Sequence, residues 1–334
     1  MSGATGTMAA LMVGRGPDWV RDEIPVPVPG PTQLRVRVRA AALNRADMYM
    51  LEGTYNSAVL TSREFVAGRE CAGVVDAVGA EVEGITIGDR VMGAASETFA
   101  EYALLEAANG IPVPPALSWI EAAALPVALG TEHDALVTQA GFTAGDGVLV
   151  LGGTSSIGLV GIQMAKALGS PVVVATTTSR DKAAALESAG ADVVVVLGDG
   201  DFVARVLDAT EGRGVDIVLD HLAGEPLAQS IRATRIGGTI VNIGRLAGRT
   251  STISLDDLSF RRVRLQGTTF SVRTAEQRAQ VYAALRPAVL PAVADRRILP
   301  VIDRVYAFDD ALAAAERMRS NQAVGKLVLK MPPG

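Results

Sequence analysis

Cysteine occurs once in the 334 residues, as Cys71. A single thiol excludes an internal disulfide and any cysteine-rich metal cluster, and it fits a reducing compartment. Histidine is nearly as scarce. His133 and His221 stand alone in the sequence, the usual pattern of core or surface residues and not of metal ligands. No apolar run approaches the roughly 18 residues of a membrane span. The segment from Met1 to Thr7 lacks the basic stretch and apolar run of a secretion signal, and it reads as a disordered leader, with Met8 an equal candidate for the start of the ordered chain. Runs of Lys and Arg are missing too. The net charge of −5 is spread along the chain, so neither nucleic acid nor a membrane surface is the expected partner. These absences leave a cytoplasmic protein acting on a small molecule.

What is present is enough for a large core. Hydrophobic residues make up 49% of the chain and charged residues 20%, which argues against disorder, and the length suits two domains. The first 125 residues or so have a β texture. Leu34-Arg-Val-Arg-Val-Arg-Ala40 alternates as a half-buried strand does, after prolines at 25, 27, 29 and 31 that mark an extended lead-in. Gly73 to Gly79 and Gly88 to Gly93 read as short strands between glycine turns. From about Ala122 to Phe270 short apolar runs alternate with helical patterns. Candidate strands are 147–151, 171–176, 192–197, 215–220, 239–243 and 264–270, with helices at 158–168, 180–189 and 225–234. That alternation predicts an α/β fold with a parallel, doubly wound sheet. The tail adds an amphipathic helix over 309–319 and a closing strand over 325–330, expected to return to the N-terminal β domain.

Val148-Leu-Val-Leu-Gly-Gly-Thr-Ser-Ser-Ile-Gly158 carries the most chemistry. A buried strand enters a turn of small residues and opens a helix, whose first N–H groups can hold a pyrophosphate. Gly152 and Gly158 take the outer positions of the usual three-glycine spacing and Ser155 the middle one. Thr154, Ser155, Ser156 and Ile157 complete the candidate cradle. A site for NAD places an acid at the end of the second strand. Here the chain reads Thr176-Thr-Thr-Ser-Arg-Asp-Lys182, and Thr178, Ser179, Arg180 and Lys182 suit the 2′-phosphate of NADPH instead.

Five further segments extend the pattern over nearly the whole chain: Ala42-Leu-Asn-Arg-Ala-Asp-Met-Tyr-Met-Leu-Glu-Gly53, Gly68-Arg-Glu-Cys-Ala-Gly-Val-Val75, Gly88-Asp-Arg-Val91, Ala124-Leu-Pro-Val-Ala-Leu-Gly-Thr131 and Gly325-Lys-Leu-Val-Leu329. With them the chain resembles the medium-chain dehydrogenase/reductase superfamily, and most of all its zinc-free NADPH:quinone reductase branch. Short-chain reductases share the turn but need a Tyr-x-x-x-Lys after it, which this chain lacks. The resemblance implies a Rossmann NADPH-binding domain over 130–271 and a mostly-β GroES-like catalytic domain over 1–129 and 272–334. It also implies a homodimer joined through the strand near 264–270. The superfamily's alcohol dehydrogenases hold zinc through a cysteine and a histidine. Asn44 and Arg69 stand at those positions, so no zinc is expected.

By the same resemblance Asn44 and Thr131 contact the nicotinamide, and Gly244, Phe270, Ser271 and Val272 belong to loops at its other face. Tyr49 and Tyr55 match tyrosines of the quinone pocket, where a hydroxyl can donate to a carbonyl; packing at the pocket rim is the alternative. Asp47 is expected to orient its loop and Cys71 to be a buried small hydrophobe. Arg69 either enters the active site, to hold a carboxylate, a phosphate or an enolate oxygen, or pairs with Glu70 or Asp47. The expected reaction is hydride transfer from NADPH to a quinone or another α,β-unsaturated carbonyl. An enoyl-thioester reductase is the alternative, and a non-catalytic NADPH-binding protein a further one.

Overall fold

The computed structural model describes residues 6–55 and 64–332. Its backbone divides into two compact units. One gathers Met1–Val127, Thr274–Ala283 and Pro300–Gly334, and the other Ala128–Arg273 and Ala284–Leu299.

The first unit is organised around the strand Gln33–Ala42. Leu34, Val36 and Val38 alternate into the core, as the sequence pattern requires. Arg35 between them is buried as well. It is accommodated by Asp76, which accepts two hydrogen bonds from it, at 2.8 and 3.0 Å. The strand Gln33–Ala42 pairs with Glu70–Val78 and with the tail strand Lys326–Lys330, both antiparallel. The returning tail is therefore found where expected, with Val328 opposite Ala42 and Lys330 opposite Ala40. Ile302–Ala307 lies parallel outside the tail strand, and the helix Ala311–Arg319 connects the two.

Two expectations change here. Thr7 is not leader but the first residue of the strand Thr7–Val13, which pairs with Val20–Pro25; residues 1–5 of the expected leader lie outside the described residues. The β texture is also interrupted by a helix, Arg45–Leu51, held at its start by Asp47, whose Oδ2 accepts from the Asn44 backbone N–H at 2.7 Å.

The second unit holds six parallel strands in the order Val193–Val196, Val173–Thr177, Val148–Leu151, Val215–Asp220, Thr234–Asn242 and Arg264–Gly267. This is the doubly wound order, and its switch point lies between Val148–Leu151 and Val215–Asp220. The outer strand is shorter than expected. It stops at Gly267, where the Thr268 hydroxyl turns to donate to Asp134 Oδ2 at 2.9 Å. The 20-residue helix Ala275–Ala294, with Pro287 and Pro291 inside it, was not legible in the sequence. Among the described residues no helix is long and apolar enough to cross a membrane.

Candidate active site

The glycine turn is built by close backbone approach. Val148–Leu151 is fully buried, and Gly152 leaves it at φ +75°, a conformation that favours glycine. Thr176, on the neighbouring strand, fixes the turn twice. Its hydroxyl accepts from Gly152 N at 3.0 Å and its carbonyl from Gly153 N at 2.9 Å. A Cβ on Gly158 would stand 2.9 Å from both Gly152 O and Gly153 Cα, so only glycine lets the helix Ser156–Ala167 start this close to the turn. Ser155 holds the middle position of the glycine spacing. It caps the helix, its Oγ accepting from Gly158 N at 3.0 Å. Thr154, Ser156 and Ile157 are half-buried around that helix start, where the first-turn N–H groups have no partner within the helix.

At the end of the second strand Thr178 and Arg180 are exposed, while Ser179 and Lys182 are half-buried. Arg180 is paired with Asp199, a partner that the sequence does not announce. Across the switch point, Ile243 N and Gly244 N both donate to Asp220 O, at 2.7 and 3.0 Å. A Cβ on Gly244 would meet His221 O at 2.5 Å, which again makes glycine obligatory.

Thr131 is half-buried on the helix Pro126–His133. The residues just after it have a role the sequence did not reveal. Asp134 is buried and accepts from Thr268 and Arg273, and Arg273 lies over the Phe270 ring at 4.8 Å. Asp134 thus anchors Thr268 and Arg273 on either side of the predicted loop residues Phe270, Ser271 and Val272. Nor is His221 isolated: its Nε2 stands 3.2 Å from Glu132 Oε1, with both side chains buried but not aligned as a hydrogen bond. Burial pulls the imidazole pKa down, yet the charges of Glu132 and Asp220 outweigh it and raise the pKa. Gly161 leaves room for this pair, because a Cβ there would fall 2.4 Å from Glu132 Oε2.

In the first unit Asn44, one of the two residues at the zinc-ligand positions, lies in a buried polar cluster. Lys326 Nζ sits 2.5 Å from Glu70 Oε1 and donates to Asn44 Oδ1 at 2.7 Å. Asn44 Nδ2 donates to Glu70 Oε1 at 2.9 Å, and Glu70 Oε2 accepts from Val127 N at 2.8 Å. The Asn44 amide is thus committed to the protein. Asp47 is buried with Oδ1 unbonded, and burial pushes its pKa up to about 7 in spite of the Asn44 N–H and the nearby Arg69 and Lys326 charges. Arg69 is half-buried and makes no hydrogen bond or ion pair with Glu70 or Asp47, although its charge acts on Asp47. Tyr49 and Tyr55 are half-buried and adjacent in the backbone, Tyr55 N donating to Tyr49 O at 2.9 Å. Cys71 is buried, and its thiol is pushed up to about 12 by desolvation and by Glu70.

This donor set does not fit zinc. Of the residues at the superfamily's ligand positions, Asn44 is an amide engaged with Lys326 and Glu70 and Arg69 is a cation, and neither is an ordinary zinc ligand. Among the described residues no group of three or more His, Cys, Asp or Glu could hold a metal. Lys326 was the overlooked member, although a lysine opening the otherwise apolar strand Lys-Leu-Val-Leu is a signal of a buried charge that needs a partner.

Residues 30–115 match the family model of the alcohol dehydrogenase GroES-like domain, and residues 156–286 that of the zinc-binding dehydrogenases. Among solved structures, a mycobacterial quinone oxidoreductase is 29% identical with a TM-score of 0.84, covering 97% of this chain and 99% of that one. A mycobacterial protein complexed with NADPH is 28% identical, with the same TM-score and the same shares covered. A phenolphthiocerol/phthiocerol polyketide synthase of Mycobacterium tuberculosis is 30% identical over 300 residues, which are 88% of this chain and 13% of that protein. The chain thus spans a small part of the curated relatives it matches.

Proposed function

Because the chain belongs to the medium-chain dehydrogenase/reductase superfamily, we propose that it uses NADPH to reduce quinones or related α,β-unsaturated carbonyls without zinc. The observation that carries this reading is the buried Lys326–Glu70–Asn44 cluster, in which the residue at the family's cysteine-ligand position is an amide already bonded to a lysine and a glutamate. NADPH supplies the hydride when bound; the chain's part is to hold and orient it. The first-turn N–H groups of Ser156 and Ile157 hold the pyrophosphate. Thr178, Ser179, Arg180 and Lys182 take the 2′-phosphate, Arg180 exchanging Asp199 for it. Thr131, Gly244 and the loop Phe270-Ser-Val272 flank the nicotinamide, with Asn44 as a positioning residue because its amide is already engaged. Tyr49 and Tyr55 are the hydroxyls offered to the acceptor carbonyl. The neighbour solved with NADPH supports the cofactor, and the quinone oxidoreductase supports the acceptor class. A cytoplasmic setting suits the single buried thiol.

The test is NADPH oxidation with 1,4-benzoquinone, 9,10-phenanthrenequinone, a simple enone and crotonyl-CoA. Turnover is expected with NADPH well above NADH, and Arg180→Ala is expected to raise the KM for NADPH about tenfold while sparing NADH. Absence of NADPH binding would sink the reading. A preference for crotonyl-CoA would favour an enoyl-thioester reductase instead, the second reading that the polyketide synthase matches support.

The outer strand Arg264–Gly267 supports a homodimer. All four of its residues are exposed, and Phe260 and Leu255 nearby are 79% and 67% exposed. An open edge of this kind is protected when it pairs with its own copy. Sedimentation at micromolar concentration should give twice the 34.6 kDa chain mass, and Leu265→Asp should return it to one.

A further inference from the structure

Arg69 is a cation that the fold holds in place with no hydrogen-bonded or ion-paired partner for its guanidinium among the described residues. Its backbone is fixed: Ala95 N donates to Arg69 O at 3.0 Å, and the preceding Gly68 sits at φ +99° with no room for a Cβ against Phe99 and Thr98. Two arginines of the first unit are answered, Arg35 by Asp76 and Arg90 by Leu117 O and the Trp119 ring, whereas Arg69, like the half-buried Arg37 and Arg39, is not answered among the described residues. The Arg69 guanidinium makes no hydrogen bond or ion pair among the described residues, although its charge reaches Asp47 and Tyr282, both buried. The carboxylate beside it is already spent, since Glu70 serves Lys326, Asn44 and Val127 N. Asp47 Oδ1 stays unbonded, and burial keeps that carboxyl protonated for much of the time near neutral pH. The cluster therefore carries an excess of positive charge with the Arg69 donors free.

We propose that Arg69 determines specificity, selecting acceptors that carry a carboxylate next to the reducible enone. A group meant to stabilise a transient oxyanion has to be preorganised by partners of its own. Arg69 has none, whereas a permanent carboxylate brings the charge and the two oxygens that order a guanidinium fork. The inference rests on the reductase reading given above.

The experiment compares 3-acetylacrylate with its methyl ester, which present the same double bond with and without the charge, alongside 9,10-phenanthrenequinone. The acid is expected to exceed the ester in kcat/KM by about thirtyfold, mostly through KM. Arg69→Met should bring that ratio close to one, and Arg69→Lys should restore part of it. A ratio near one in the native protein, or one unmoved by Arg69→Met, overturns the proposal. Binding of the saturated analogue levulinate against methyl levulinate, followed by NMR titration on native and Arg69→Met protein, reads the same selectivity without turnover. If no acceptor is reduced but levulinate binding still depends on Arg69, the reductase reading fails and the anion site stands. If levulinate and its ester bind alike, the anion site fails whatever the turnover with quinone.

Discussion

Lys326→Met should destabilise the first unit by about 3–5 kcal/mol, the usual cost of removing one partner from a buried ion pair. Lys326 and Glu70 are both essentially inaccessible to solvent. Without the ammonium, Glu70 keeps only two neutral donors, Asn44 Nδ2 and Val127 N, and Asn44 Oδ1 loses the donor it faces. Most of the cost belongs to the stranded carboxylate and not to the pair. Lys326→Met combined with Glu70→Gln should therefore recover much of the loss, since a buried pair is often replaceable by neutral groups of similar shape. Urea unfolding of the two single variants and the double variant measures this. A loss below about 1 kcal/mol for Lys326→Met would mean that water reaches Glu70 and that the cluster is not dry.

Asp47→Asn should make the protein more stable at pH 8 and change little near pH 4. Burial raises the Asp47 pKa from 3.8 to about 7, so the folded chain keeps a proton that the unfolded chain releases above about pH 4. Stability from this group is greatest below the unfolded pKa. It falls as pH rises to about 7 and is level beyond it, by an amount on the order of 4 kcal/mol. Asparagine cannot ionise, and its Oδ1 can still accept from Asn44 N, so the variant should lack this slope. Melting curves of both proteins between pH 5 and 8 test it. Parallel pH profiles would show that Asp47 ionises freely in the fold.

The parts of the fold that were legible in the sequence are those written in consecutive residues. The strand Val215–Asp220 was found to the residue because its apolar run sits between turn signals, and all six positions are buried. Gly152 and Gly158 likewise announced a turn that no other side chain fits. What sequence did not reveal depends on pairing at a distance. Lys326 meets Glu70 and Asn44 across most of the chain, Arg180 meets Asp199, and His221 meets Glu132. Composition and spacing do not say which carboxylate a cation will find. Arg69 is the converse case: its position was singled out, but only three-dimensional placement shows that Glu70 beside it is taken by other donors and that Asp47 does not bond it. The helix Ala275–Ala294 was hidden by its two prolines, which usually mark a break.

The strand Lys326–Lys330 lies inside its sheet, flanked by Gln33–Ala42 on one side and Ile302–Ala307 on the other. During synthesis the stretch Ala128–Arg273 can bring its six strands together as soon as it has emerged. The earlier-made first unit must wait, with Glu70 uncompensated and the edge at Ala40–Ala42 open, until residues 326–330 arrive. The portion of this chain made first is thus the portion finished last.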